Sequence, residues 1–414
     1  MKTSFLNNKW MRAAVPALLI HACIGSVYCW SLLKGDIATA VGCSVGEIEF
    51  AFSLAIFFLG MSAAFGGRFV EKNVTAASVV SCLCFSTGLL LTVLSIFAQS
   101  VVGIMLSYGC LMGIGLGIGY LAPVKTLMLW FKEHKGLATG IAISGFGLSK
   151  VIFSPYIEWC SATYGVNATL VSMSVISIFS MQAAAYLIKK PLDWVEPVVK
   201  WRMKDYYHVL KNGTFVKIWF VFYINITCGL ALIAFEKNIA VTVGIVAVGL
   251  LSSLTAFFNT AGRFGYSTVS DYMEHKQTIY KVLLTSSVLV MLLGYVFGGS
   301  AVVVVLMLCV INAGYGGGFS TLPTLLQSKF GMEKISTIHG LALSAWAWAG
   351  LSGNQLSNLI INQWQKPYEY LYVVLAVLYL VALLLTFSIP KNKELIDYEE
   401  EQQEFSQIDP SFIE

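Results

Sequence analysis

The stretch LTAFFNTAGRFGYSTVSDYM, from Leu254 to Met273, places one arginine in a segment that is otherwise apolar enough to lie in lipid. The guanidinium of Arg263 keeps its charge, and moving it into hydrocarbon costs about 3 kcal/mol or more. A carboxylate, a water-filled cavity or an anionic ligand must compensate that charge. Asp271 is two turns further on, and Asn259, one turn earlier on the same face, is neutral. We therefore predict that Arg263 faces a cavity and that its partner is an anion.

The composition indicates a polytopic membrane protein. Of the 414 residues, 57% are hydrophobic and 12% are charged, whereas soluble proteins carry about 25% charged residues. The net charge of +4 lies in short loops and predicts no nucleic-acid partner. The nine cysteines lie mostly inside apolar segments without metal-ligand spacing, so we predict neither a metal site nor a cofactor.

Twelve apolar segments have the length of about 20 residues that a spanning helix needs. They are 11–33, 46–67, 74–97, 101–130, 136–159, 165–188, 215–236, 241–265, 278–297, 300–327, 337–361 and 368–389. We predict an all-α membrane protein with a six-helix half at 1–188 and another at 215–389. A basic linker, 189–214, joins them, and we expect the acidic tail, 390–414, to be solvated and disordered.

The loops predict the orientation, because lysine and arginine accumulate on the cytoplasmic side. With the N-terminus inside, twenty of the 26 basic residues fall on the cytoplasmic side and three on the outer side, and the other three lie within spans. We predict a multi-pass protein of the cell (inner) membrane, monomeric, with both termini cytoplasmic.

The two predicted halves repeat one pattern. GGRFVEKN (Gly66–Asn73) follows span 2, and GRFGYSTVSDYMEHK (Gly262–Lys276) follows span 8. Repeated halves of six spans are typical of transporters that bind their substrate between the halves. We expect Arg68 and Asp271, in these loop motifs, to act in gating by pairing with helix ends.

Several stretches, in order along both halves, resemble the major facilitator superfamily, and more closely its oxalate/formate antiporter family, which is related to the monocarboxylate transporters. These stretches are GSVYCWSLL (25–33), GIGLGIGYLAPVKTLMLWF (113–131), KGLATGIAISGFGLSKVIFSPYI (135–157), NTAGRFGYSTVSD (259–271), GYGGGFSTLPTLLQSKFG (314–331) and HGLALSAWAWAGLSG (339–353). The resemblance implies the major facilitator fold, alternating access and a small carboxylate substrate. It also implies that Arg263 is the substrate-binding arginine.

The resemblance further implies a set of aromatic residues around the substrate. The matching positions are Tyr28, Trp30, Tyr120, Phe146, Tyr315 and Phe319. A single aromatic residue in a membrane helix more often serves packing, but a cage of rings beside an arginine suits a small planar carboxylate. Such rings exclude water, and tyrosine hydroxyls donate hydrogen bonds.

Two further cations lie within spans. Lys150 shares a face with Phe146 four residues earlier, so it either lines the same cavity or extends outward along its stem. For Lys125 we favour the outward extension. Relatives that carry the oxalate dianion have a lysine in span 11 where this chain has Trp346. That difference favours a monoanion such as formate, lactate or pyruvate, unless Lys150 supplies the second positive charge.

The mode of transport depends on whether a membrane-spanning segment carries a proton-binding carboxylate. Proton-coupled relatives have a carboxylate one turn before the arginine, where this chain has Asn259, and Glu236 lies near the end of its predicted span. His21 is interpreted as a structural, hydrogen-bonded residue. We therefore favour anion exchange, with proton-coupled symport as the alternative.

Other functions remain less favoured. A carrier of neutral solutes would leave Arg263 without its anion, and a carboxylate sensor would need a signalling domain that the tail does not resemble. A membrane enzyme is not expected, because the spans contain no paired carboxylates or Ser/His arrangement for catalysis.

Overall fold

The computed structural model describes residues 8–194 and 203–391, which form a bundle of helices. The helices that cross the bundle are Trp10–Val41 (α1), Val45–Lys72 (α2), Val74–Phe97 (α3), Val101–Trp130 (α4), Lys135–Leu187 (α5 and α6), Gly213–Thr242 (α7), Val248–Asp271 (α8), Gln277–Phe297 (α9), Ala301–Phe330 (α10), Ile335–Asn358 (α11) and Tyr368–Phe387 (α12). A shorter helix, Met203–Lys211, lies in the linker.

Polar side chains start several of these helices. Ser44 and Glu47 form a reciprocal capping box at the start of α2. The side chains of Asn73, Ser100 and Asn212 accept backbone N–H groups in the first turns of α3, α4 and α7, at 2.9 to 3.0 Å. These bonds satisfy donors that a helix leaves unpaired. The boundaries of α3 and α4 are the ones that the sequence predicted.

Gly165 divides the fifth and sixth helices. The segment Lys135–Leu187 is 53 residues long, with Gly165 at φ 83° inside it. At 1.5 Å per residue a single helix of this length would extend about 80 Å, far beyond a hydrocarbon layer of about 30 Å. A left-handed glycine reverses the chain here, so the two predicted spans are two helices.

Hydropathy separates the helices into two groups. In the described part of the chain, nine helical segments are long and apolar enough to cross a membrane, and Lys135–Leu187 is one of them. The two remaining helices, α8 and α11, are more polar. Together with the division at Gly165 they complete the predicted twelve-helix, all-α arrangement. The polar helices are the ones that carry Arg263 and Trp346.

Two helix pairs join the halves: α2 packs along α11, and α5 packs along α8. Small residues allow the close approach. A side chain at Gly60 would lie 2.7 Å from Cβ of Ala347, and one at Gly67 would lie 2.6 Å from the carbonyl oxygen of Ser336. These contacts run from the predicted cytoplasmic end toward the middle of the bundle.

The division of the chain into two halves and a linker, with boundaries at 188/189 and 214/215, stays a prediction. Residues 195–202 of the linker and 392–414 of the predicted acidic tail lie outside the described residues.

Candidate functional site

Arg263 lies at the centre of the bundle, and only 1% of it is exposed. Its Nε donates to Oδ1 of Asn259 at 2.8 Å, one turn earlier on α8, and one terminal nitrogen lies 3.5 Å from the carbonyl oxygen of Ile143 on α5. Among the described residues, no carboxylate forms an ion pair with Arg263. The buried guanidinium is thus oriented by neutral groups.

Close helix packing holds Arg263 against α10. A side chain at Gly316 would lie 3.0 Å from Cγ of Arg263 and would overlap the carbonyl oxygen of Asn259, and one at Gly262 would overlap the backbone of Ala313. Glycine at these positions brings α8 and α10 together and fixes the direction of the arginine side chain.

Aromatic rings from both halves surround the guanidinium. Its Cζ lies 5.8 Å from the ring of Phe146 on α5 and 5.3 Å from the ring of Phe319 on α10. Trp346 of α11 lies 4.4 Å from Phe319 and 5.9 Å from Phe146, and Tyr120 of α4 lies 5.8 Å from Trp346. We call these four rings the aromatic cage.

Two tyrosines extend the cage across the gap between the halves. The hydroxyls of Tyr28 on α1 and Tyr315 on α10 are 3.5 Å apart. The Tyr28 ring contacts Phe146 at 5.3 Å, and the Tyr315 ring contacts Phe319 at 5.2 Å. The structure therefore brings together eight of the ten predicted binding residues: six aromatic rings, with Arg263 and Asn259 beside them.

Trp30 lies apart from these residues, which corrects the prediction that it contacts the substrate. Its indole N–H donates to the carbonyl oxygen of Ile48 at 3.2 Å, and its ring stacks on Tyr108 at 3.8 Å. Both partners belong to the first half, so Trp30 packs α1 against α2 and α4. It lies only two residues after Tyr28, and successive helical residues point in different directions.

The two lysines have different surroundings. Lys125 is only 1% exposed, so the prediction that its stem extends outward is wrong: the side chain lies inside the bundle, where it has a partner. Lys150 is half-buried, one turn beyond Phe146 toward the predicted outer end, and forms no ion pair within 4.0 Å in the described part of the chain. Its ammonium acts electrostatically on Glu236 of α7.

Two histidines flank Tyr120. The ring nitrogens of His21 contact the carbonyl oxygens of Ala142 and Tyr120, which fits its predicted structural role. His339 of α11 lies 5.9 Å from Tyr120, and its Nε2 and the Tyr120 hydroxyl are buried without a hydrogen-bond partner. His339 was missed, although its spacing of seven residues from Trp346 places both on one helix face. Among the described residues, no group of His, Cys, Asp and Glu could hold a metal.

Glu236 is the second residue that the sequence analysis missed. It was placed near the end of its span, but α7 continues to Thr242 and the side chain is only 8% exposed. Its Oε1 accepts from the hydroxyls of Thr255 at 2.9 Å and Ser252 at 3.3 Å, both on α8. The predicted start of span 8, residue 241, was seven residues too early, which obscured this contact.

At the predicted cytoplasmic end, Asp271 caps a helix of the other half. Its two carboxylate oxygens accept the N–H groups of Gly136 at 2.6 Å and Leu137 at 2.8 Å, in the first turn of α5. Lys276 donates to the carbonyl oxygen of Ser270 nearby; burial lowers the pKa of its ammonium, and the Asp271 carboxylate opposes that shift. A negative charge at a helix N-terminus is favourable.

The first half makes a matching contact through Glu71 rather than Arg68. Oε1 of Glu71, at the end of α2, accepts the N–H of Thr337 in the first turn of α11 at 3.0 Å. Arg68 is exposed and forms no ion pair in the described part of the chain, so the prediction that it pairs with a helix end is wrong. We call the contacts of Glu71 and Asp271 the two interhalf clamps.

Comparison with characterised proteins supports this architecture. The chain is 25% identical over 399 residues to the oxalate:formate antiporter of Oxalobacter formigenes, covering 94% of this chain and 93% of that one. It is 31% identical to monocarboxylate transporter 13 of Bos taurus over 136 residues, about a third of each chain.

Solved structures share the fold at low identity. The transporter FucP in its outward conformation matches with a TM-score of 0.72 at 12% identity, covering 93% of this chain and all of that one. The human organic anion transporter MFSD10 matches with a TM-score of 0.70 at 12% identity, covering 90% of this chain and 98% of that one. The family model described as Major Facilitator Superfamily matches residues 17–354. This chain is a multi-pass membrane protein and belongs to the major facilitator superfamily of transporters.

Proposed function

We propose that this transporter carries small carboxylate anions across the membrane by alternating access. The observation that carries the proposal is the environment of Arg263: a buried guanidinium, held by Asn259, that forms no ion pair among the described residues and faces aromatic rings. A bound carboxylate would complete this site, because the planar guanidinium matches a carboxylate with two parallel hydrogen bonds.

The cage supplies the rest of the binding chemistry. Its rings exclude water, which strengthens the pairing between guanidinium and carboxylate. The hydroxyls of Tyr28, Tyr120 and Tyr315 can donate to the second end of a small anion. Because α1, α4 and α5 supply one wall and α8, α10 and α11 the other, a rocking motion of the halves would open the site to either side.

The fixed charges favour a monocarboxylate such as formate, lactate or pyruvate. Trp346 stands where oxalate carriers of the resembling family have a lysine, and it packs on Phe319 instead of offering a cation. Two relatives are named as an oxalate:formate antiporter and a monocarboxylate transporter, so both anion classes belong in the test. A neutral solute is less suited, since it would leave Arg263 uncompensated.

We further propose anion exchange as the basic cycle, since one carboxylate can replace another on Arg263 without any other ion. The loop charges support cytoplasmic termini and a place in the cell (inner) membrane. A monomer is sufficient, because one chain supplies both walls of the site.

A thermal-shift screen of the purified chain tests the substrate class. We expect formate, acetate, lactate or pyruvate to raise the melting temperature, because a ligand that binds only the folded state stabilises it. Oxalate, malonate and the neutral sugars fucose and xylose complete the panel. Stabilisation by a sugar, with none by any carboxylate, would contradict the proposal.

Replacing Lys150 by alanine tests whether a second cation takes part. If Lys150 supplies that charge, oxalate should compete with a bound monocarboxylate about 10- to 100-fold less well in the variant, since a charged hydrogen bond is worth about 1.5–3 kcal/mol. Competition in proteoliposomes measures this. Lys34→Ala, which removes a partly exposed lysine paired with Glu49 at 3.1 Å, is the control. Strong oxalate competition that ignores Lys150 would refute the two-cation argument.

A further inference from the structure

Glu236 is a carboxylate buried in a membrane-spanning helix, and nothing in the proposed exchange cycle uses it. Its side chain is 8% exposed, and one oxygen, Oε1, takes both hydrogen bonds from Thr255 and Ser252. Ionisable residues at such places are costly and usually functional. The second oxygen, Oε2, remains available for a proton.

Glu236 is connected to Arg263 through one face of α8. Thr255, Asn259 and Arg263 follow at intervals of four residues, so they lie on one helix face over about 12 Å. Thr255 donates to Glu236, and Asn259 accepts from Arg263. A carboxylate from α7 therefore sits two turns beyond the arginine, toward the predicted outer end, on the face that bears the arginine.

Lys150, on α5 of the other half, acts electrostatically on Glu236, and its place along the bundle is close to that of Glu236. Three residues earlier, a side chain at Gly147 would lie 2.8 Å from Oγ1 of Thr260 and 3.4 Å from Cδ of Arg263. Lys150 is about 5 Å further along α5 toward the predicted outer end. Among residues 8–194 and 203–391, the charged and titratable groups that act on or respond to Glu236 are the Lys150 ammonium and the Cys309 thiol of α10. Lys150 is thus the one positive charge among them.

We propose that Glu236 is a proton-binding site that couples proton entry to carboxylate transport. With Glu236 ionised, its carboxylate competes with the substrate for the Lys150 ammonium. A proton from the outer aqueous phase binds Oε2, leaves both hydroxyl bonds to Oε1 intact and neutralises the side chain. Lys150 then turns to the anion beside Arg263, and each ligand favours the other by linkage. One proton and one monoanion cross together, without net charge.

This proposal rests on the proposed carboxylate function and adds net, proton-driven flux to exchange. In proteoliposomes of the full chain, an inward gradient of one pH unit should drive about tenfold accumulation of labelled pyruvate or lactate. Glu236→Gln should abolish that accumulation while keeping exchange of internal for external anion. Glu158→Gln, which changes an exposed carboxylate at the outer part of α5, should behave like the parent.

Proton uptake when the anion binds is a second measurement. It is made on the parent protein and so does not depend on whether a variant folds. The parent, in weakly buffered detergent solution, should take up about one proton per bound pyruvate or lactate above neutral pH, by the linkage described above. Exchange without gradient-driven accumulation or proton uptake in the parent would refute this role for Glu236 and leave the carboxylate function standing. Proton-driven accumulation by Glu236→Gln would refute it as well. If the parent neither binds nor exchanges any carboxylate, both proposals fail.

Discussion

Carboxylate binding and transport are expected to fall by roughly 30-fold or more when Arg263 is replaced by glutamine. Removing one partner of a buried, hydrogen-bonded charge pair costs about 2–5 kcal/mol, and each 1.4 kcal/mol is about tenfold. The bound anion would then lie in an aromatic cage without the charge that offsets its desolvation. Both binding affinity and transport rate should therefore decline.

Arg263→Lys separates charge from geometry. Lysine keeps the positive charge but loses the planar pair of donors and the Nε bond to Asn259, so we expect binding between that of the parent and that of the glutamine variant. Arg68→Gln is the matched control, since Arg68 is exposed at the predicted cytoplasmic end. Equilibrium binding of a labelled anion to purified protein measures the affinity of the three variants and of the parent. Affinity within about twofold of the parent in Arg263→Gln would exclude the guanidinium as the anion-binding group.

The sequence was sufficient for the helices because apolar length and capping residues act locally. Spans 74–97 and 101–130 coincide with α3 and α4. It was less accurate where polar residues extend a helix past its apolar part. Thr242 ends α7 six residues beyond the predicted boundary, and this extension brings Glu236 inside the bundle.

The candidate site was predictable at positions where burying the side chain in lipid costs free energy regardless of which residues surround it. Arg263 meets that condition, and the resemblance supplied the cage around it. Trp30 shows the limit, because proximity along α1 to Tyr28 did not determine which way its ring points. Glu71 shows a second limit: its partner is a backbone N–H of the other half, which only the three-dimensional packing of α2 on α11 reveals.

Removal of both interhalf clamps is expected to open the predicted cytoplasmic end. Asp271→Ala takes acceptors from two N–H groups at the start of α5, and Glu71→Ala takes one from the start of α11. Losing a helix-capping side chain costs about 0.5–2 kcal/mol, and losing a negative charge beside the helix N-terminus adds about 0.3–1 kcal/mol. The two clamps together are worth about 1.6–6 kcal/mol, so the double variant should shift the balance toward the opened state by at least about tenfold, and by up to about 10⁴-fold.

Labelling of a cysteine introduced at Ser336 measures this opening. Ser336 is 2% exposed and packs on Gly67, so a maleimide reagent should reach it only when α2 and α11 separate. The clamp variants that keep Ser336 are labelled in parallel. Their signal gives the labelling of the nine native cysteines, which is subtracted. Asp193→Ala, which removes an exposed partner of Lys132, is the control for losing an acid on this side. Unchanged labelling in the double variant would contradict a gating role.

The comparison of single and double variants tests whether the clamps act together. They join different helix pairs, α2 with α11 and α5 with α8, and both pairs must separate before this end can open. Each single variant should therefore show part of the shift, and the two free-energy changes should add if the clamps are independent. Transport rate should change more than anion affinity, because neither clamp touches the cage. A loss of affinity as large as that of Arg263→Gln would show instead that the clamps shape the binding site itself.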